Sequence, residues 1–167
     1  MFGIEDFYHF IQAFFVVFPI VTILHLIGHL TFAYFFGCKK MKVVIGVGKK
    51  LFSVRNIEVR LYYFWHGSCS LGPLKYTNKY SQCLILIGGS LFNLLGILIV
   101  NILIHESIIN PSMLTYQFIY FSIYYVFFAL LPMDFPDGTA SDGKMIYSTL
   151  KGKECKQTSQ DCQSFTN

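Results

Sequence analysis

Apolar residues run almost unbroken through three stretches of this chain, at about 10–36, 83–104 and 113–133, and polar residues gather between and after them. Crossing about 30 Å of hydrocarbon takes roughly 20 helical residues, so each stretch predicts a transmembrane helix. Between 38 and 81 the pattern changes. Val43, Ile45 and Val47 alternate with Val44, Gly46 and Gly48, and Val59-Arg60-Leu61-Tyr62 is again rich in strand formers. Gly46, Gly48 and Asn56 mark turns. The ring cluster Tyr62-Tyr63-Phe64-Trp65 suits the headgroup boundary, where aromatic rings with a polar handle settle. The expected fold class is therefore an all-α integral membrane protein: three transmembrane helices with a small β-rich element in the cytoplasmic-side loop. One membrane core over 1–150 is followed by a polar, loosely ordered tail over 151–167, and no internal repeat is visible.

Composition strengthens this reading. Of 167 residues, 54% are hydrophobic and only 13% charged, against about 25% charged in an ordinary soluble domain. Charge placement predicts orientation. Nine basic residues (Lys39, Lys40, Lys42, Lys49, Lys50, Arg55, Arg60, Lys75, Lys79) and a single acid, Glu58, lie between Cys38 and Ser81. Lys144, Lys151, Lys153 and Lys156 follow the third span, whereas the first nine residues and the 105–112 connection carry no Lys or Arg. Positive charge collects in cytoplasmic loops, so the N-terminus is expected outside and the C-terminus inside a bacterial cell membrane. The net charge of +4 is then a topology signal and does not point to nucleic acid. A cleaved signal peptide is not expected, since the N-terminus has neither a basic region nor a small-residue cleavage site. The five cysteines form no CxxC pair and read as scattered reduced thiols.

Within the first span, HLIGH places His25 and His29 four residues apart, hence on one face of a helix. Two such imidazoles can hold one metal ion, as on the HExxH helix of zinc hydrolases, or they can hydrogen-bond to neighbouring helices. Ionisable groups inside a membrane are costly and usually functional, which adds weight to the first reading and leaves the second open. Candidates for a third ligand lie in LPMDFPDGTASDG, which contains Asp134, Asp137 and Asp142. Pro-Asp-Gly and Ser-Asp-Gly are also ordinary turn sequences. Two His and one Asp would leave a tetrahedral position open, the arrangement of a catalytic zinc site. His66, His105 beside Glu106, and His9 read as surface or interface residues.

Taken together, these segments resemble the site-2 protease family of intramembrane zinc metalloproteases. The family's first motif reads approximately HExGHxxxAxxFG, and His25, Gly28, His29, Ala33, Phe36 and Gly37 fall in register with it. A loop segment like FSIGFGPKLF is matched by Ile45, Gly46, Gly48, Lys50, Leu51 and Phe52. The GPxxN-like element opening the second core helix is matched by GGSLFN, with Gly89 and Asn93 kept and Ser90 where proline is common. Leu131-Pro132 followed by two Asp-Gly pairs completes the series. The resemblance covers about Phe10 to Leu150. It implies zinc on His25, His29 and an aspartate. Asp137 sits where the compact LPxxxxDG form puts its ligand, but Asp142-Gly143 precedes Lys144-Met145-Ile146-Tyr147, a helix start like the one after the family's ligand. Asp142 is the preferred assignment, with Asp137 the alternative. The resemblance also places Asn93 near the active site as a substrate-binding residue, beside the plain reading of an Asn bridging helices.

The departure from the family falls on its chemistry. After the first histidine the family carries a glutamate that takes a proton from the attacking water and hands it to the leaving amine; here the residue is Leu26. General acid–base catalysis is worth about 10²–10⁴-fold, and a leucine supplies none of it. The expectation is a pseudoprotease with a zinc site, binding or regulating a transmembrane or peptide ligand in the lipid bilayer. The alternative is an active intramembrane metalloprotease using an unusual base, with Asp134 or Asp137, whichever is not a ligand, reaching the water.

Overall fold

A computed structural model describes residues 3–73, 78–135 and 138–152, the side chains of Trp65 and His66 excepted. Asp137 and the tail beyond Gly152 thus lie outside the described residues, as does the side chain of His66. The element order is α1 (Ile4–Gln12), a π-helical turn (Ala13–Val17), α2 (Phe18–Phe35), β1 (Met41–Val54), β2 (Ile57–Leu71), α3 (Lys79–His105), α4 (Met113–Leu130) and α5 (Asp142–Leu150). Three helical stretches are long and apolar enough to cross a membrane: Ile4–Phe35, Lys79–His105 and Met113–Leu130.

Helix ends follow local chemistry. The first span begins at Ile4, earlier than the apolar run alone indicates, because Glu5 and Asp6 occupy its first turn, where a helix favours negative charge. The π-helical turn comes just before Pro19, which has no N–H to offer the Phe15 carbonyl. That carbonyl instead accepts a hydrogen bond from the Tyr63 hydroxyl at 3.4 Å. In hydrocarbon a freed backbone group needs such a partner. At the other end, Gly37 (φ 81°) closes α2: its N–H donates to Tyr34 and that of Cys38 to Ala33, the paired bonds of a Schellman motif. α4 stops at Leu130, three residues before the apolar run ends. Pro132 forces the preceding Leu131 out of the helical region, to ψ 124°.

The β-rich element departs most from expectation, and the class is helical with a substantial hairpin rather than all-α. β1 and β2 have 14 and 15 residues and pair antiparallel. The hairpin folds back on itself. Val43, Val44 and Ile45 pair with Cys69, Ser68 and Gly67 on one edge and with Ile57, Glu58 and Val59 on the other. Gly46 (φ 88°) lies at the bend, where a Cβ would meet the Tyr62 carbonyl at 2.6 Å. Curling back gives the outer edge of β1 its hydrogen bonds, so that it is not left as an open strand edge. The hairpin runs along the first span instead of capping one end of it. Phe64 packs on Phe14 and Phe15 with ring centroids 5.8 and 4.7 Å apart, Gly67 abuts Thr22 and Leu26, and Leu71 packs against the Ala33, Cys38 and Ile85 cluster. Of the rings placed at a headgroup boundary from sequence, Phe64 thus packs the hairpin on the helix and Tyr63 bonds to it through the Phe15 carbonyl.

α2 and α3 approach closely at Gly28, where a Cβ would lie 2.3 Å from the Gly88 carbonyl oxygen. Small residues permit such backbone contact between membrane helices. Val21, Leu26, Ala33, Ile85 and Ala129 face inward, whereas Leu98, Ile102, Ile123 and Phe127 are half exposed and form an outward apolar belt suited to acyl chains.

Candidate metal centre

His25 and His29 lie one turn apart on the inward face of α2, each with its ring buried. Asp142 is the first residue of α5, and its position depends on both neighbours. Ser141, 1% exposed, caps α5 by accepting from the Lys144 N–H at 3.2 Å. The same hydroxyl accepts from the Met133 N–H at 3.1 Å and donates to the Leu131 carbonyl at 2.6 Å, tying α5 to the end of α4. Gly143 lets α5 come against α4: a Cβ there would stand 1.9 Å from the Leu130 carbonyl oxygen. In Ser-Asp-Gly the first residue anchors and the third gives room, so the second projects toward α2.

There, three donor atoms converge. His25 Nε2 is 3.0 Å from Asp142 Oδ2 and 3.0 Å from His29 Nε2, and His29 Nε2 is 3.4 Å from Asp142 Oδ2. Tetrahedral zinc with ligand bonds of about 2.0–2.1 Å sets its donors about 3.3 Å apart, so the triangle is of the right size. Among the described residues this is the group of His, Cys, Asp and Glu side chains with metal-binding geometry. Asp142 is the described aspartate within it; Asp137 lies outside the described residues. Two further observations fit a metal. His29 Nδ1–H donates to the Ile85 carbonyl at 2.8 Å, which in the neutral ring leaves Nε2 as a bare lone pair. Gly89 backs the triangle, where an added Cβ would lie 2.6 Å from both His25 Nε2 and His29 Nε2. The space a methyl would fill is kept clear beside the two nitrogens. Two imidazoles and one carboxylate suit zinc.

Burial by itself would raise the Asp142 pKa, but hydrogen bonding to His25 and His29 outweighs it and holds the carboxyl at about 2. It is thus ionised at neutral pH, as a ligand must be. The Tyr125 ring stacks obliquely on His25, 4.7 Å away. Asn93 is fully buried, its side-chain nitrogen 3.4 Å from His25 Nδ1.

The other sequence candidates are engaged elsewhere. Leu26 is 3% exposed and packs under β2, its Cδ1 2.8 Å from where a Cβ of Gly67 would stand. Asp134 pairs with Lys144 and Glu58 with Lys42 and Arg60, while Glu106 is exposed beside His105 at the far end of α3. None of these carboxylates joins the triangle. Sequence reasoning missed the Ile85 carbonyl, the Tyr125 ring and the anchoring hydroxyl of Ser141. Only Ser141 carried a signal, as the cap residue before a helix.

No family model matches the chain, and no solved structure matches it. Over 151 residues it is 44% identical to the uncharacterized membrane protein YwmF of Bacillus subtilis (strain 168), a match spanning 90% of this chain and 94% of that protein. At that identity and coverage the chain belongs to the YwmF family of membrane proteins.

Proposed function

We propose that this is a site-2-protease-like membrane protein that holds zinc on His25, His29 and Asp142 and acts as a pseudoprotease, binding or regulating a transmembrane or peptide partner without cutting it. The observation that carries the reading is the buried triangle of two imidazoles and a carboxylate, drawn from residues 117 positions apart, with Leu26 next to it in place of a base. A bound zinc supplies Lewis acidity toward a carbonyl or a water. The chain's own residues do the rest: Ile85 orients His29, Ser141 and Gly143 bring in Asp142, and Leu26 with Gly67 packs the flank apolar. Peptide cleavage also needs a group that moves a proton, and Asp134 and Glu58 are each tied to basic side chains. The basic residues around the hairpin support a bacterial membrane orientation with the N-terminus outside and the hairpin connections and α5 on the cytoplasmic side.

The test is a single-span model substrate reconstituted with the wild type, Asp142→Asn, Leu26→Glu, and Leu26→Glu with Asp142→Asn. The proposal expects no cleavage by the wild type, cleavage gained with Leu26→Glu, and its loss in the double variant. Wild-type cleavage that disappears in Asp142→Asn would instead establish a working protease with another base.

A further inference from the structure

At the end of the molecule where α2 finishes, α3 begins and α5 finishes, we infer a binding site for the phosphate of an anionic phospholipid, built on Lys79, Lys151 and the Tyr147 hydroxyl. Lys79 is the first residue of α3, and Lys151 follows the last residue of α5 as its cap. The two meet because Lys79 reaches across to the end of α5: a Cβ added at Gly152 would lie 3.5 Å from Lys79 Nζ. A helix C-terminus favours a cation, which accounts for that reach. Lys151 Nζ bonds to the Tyr147 hydroxyl and lies 4.2 Å from the centre of its ring. That bond uses one ammonium proton and one phenol lone pair. The remaining ammonium protons and the Tyr147 O–H are all donors, gathered at one place.

No carboxylate answers them among the described residues. Asp134 is paired with Lys144, Glu58 with Lys42 and Arg60, and Asp142 with His25 and His29. Glu106 caps the opposite end of α3, and Glu5 and Asp6 open α1 at that same far end. Lys39 and Lys40, exposed just beyond α2, add two more positive charges on the near side. Like charges held together repel unless an anion lies between them. The surroundings of the lysines name the source of that anion. Tyr34, Phe35, Tyr80, Tyr147 and Leu150 are each more than half exposed, at these same ends of α2, α3 and α5. Rings with a polar handle settle at headgroup level, and lysines carry their ammonium groups there on apolar stems. A phospholipid sets its acyl chains against such a rim and its phosphate among the donors, whereas a free phosphate or an acidic protein has no use for the rim. Basic clusters beside membrane helices attract anionic lipid for this reason. A bound headgroup holds the end of α5 against α3, as Ser141 holds its start against α4. The site needs no metal, so it stands apart from the reading of His25, His29 and Asp142.

The experiment titrates full-length protein in neutral detergent with phosphatidylglycerol or phosphatidylcholine and reads the bound lipid by native mass spectrometry. Phosphatidylglycerol should bind the more tightly. One lysine near the membrane surface is worth about fivefold, so Lys79→Gln and Lys151→Gln should each weaken phosphatidylglycerol by about that factor and leave phosphatidylcholine unchanged. Lys79→Arg with Lys151→Arg keeps the charge and should keep the binding. Lys49→Gln with Lys50→Gln removes charge from the exposed part of the hairpin instead, and should have no effect. Equal affinity for the two lipids, Gln variants that bind as the wild type does, or a loss of the same size from the hairpin pair would overturn the inference. So would inorganic phosphate that displaces the lipid when chloride of the same ionic strength does not. A second readout uses the wild type alone. In vesicles, the amides of Lys151 and Gly152, which close α5 on the Tyr147 and Thr149 carbonyls, should exchange hydrogen more slowly with phosphatidylglycerol than with phosphatidylcholine. Identical exchange in the two lipids would refute the hold on α5.

Discussion

Gly89→Ala tests the site from its back wall. The added Cβ would lie 2.6 Å from His25 Cε1, His25 Nε2 and His29 Nε2. Ordinary carbon contacts begin near 3.5 Å, so each ring atom must yield by roughly 0.9 Å. Neither ring can withdraw freely. His29 is held through Nδ1 by the Ile85 carbonyl, and His25 lies between Asn93 and the Tyr125 ring. Overpacking of this kind costs about 1–3 kcal/mol, and where it falls on the ligands it becomes a loss in metal affinity of about 5- to 150-fold. The assay is competition of the purified variant with a zinc chelator of known affinity, alongside its thermal unfolding without metal. Affinity should fall while the metal-free protein stays folded. Wild-type affinity in Gly89→Ala would mean that the two nitrogens do not share a metal beside α3, and the reasoning would fail.

Ser141→Ala removes the cap of α5 and its two ties to α4; a lost cap costs about 0.5–2 kcal/mol, and zinc retention should weaken accordingly, whereas an unchanged chelator titration would show that α5 is held by other means. Burial, followed by the charge of Asp142, pushes the Cys69 thiol up to about 12. It should therefore resist maleimide in native membranes at neutral pH and react once the protein is denatured, and prompt native labelling would contradict the docking of β2 on α2. Arg60, then Lys42, holds Glu58 below the usual carboxylate range. A depressed folded pKa gives a contribution that is present above the unfolded value of 4.5 and is lost as pH falls through the folded pKa. Acid unfolding should be less steep in Glu58→Gln, and identical profiles for the two proteins would refute the link.

The parts of this fold that a sequence reveals are those set by local periodicity. Three apolar runs longer than a bilayer is thick gave three spans, and a four-residue spacing put His25 and His29 on one face. Asp142 lies 117 positions from His25; no periodicity links them, so the sequence offered it as one of three aspartates after the third span, and only a resemblance of motifs along the chain preferred it. The Ile85 carbonyl was invisible in principle, because every residue carries one. Tyr125 was lost among the many rings of α4. Alternation in Val43–Val47 foretold strands but not their docking: whether a strand caps a helix end or lies along its side depends on partners such as Gly67 against Leu26, where the signal is a missing side chain. The curl of the hairpin rests on satisfying backbone edges, a requirement that leaves little mark on residue type beyond Gly46.

The central claim is that one metal is bound by His25, His29 and Asp142, and metal content of the purified protein tests it most directly. Wild type, His29→Ala, Asp142→Ala and Asp137→Ala would be compared by elemental analysis after identical purification. The account predicts one zinc per chain in the wild type and in Asp137→Ala, with loss in His29→Ala and Asp142→Ala. A wild type without bound metal, or zinc lost in Asp137→Ala and kept in Asp142→Ala, would contradict it.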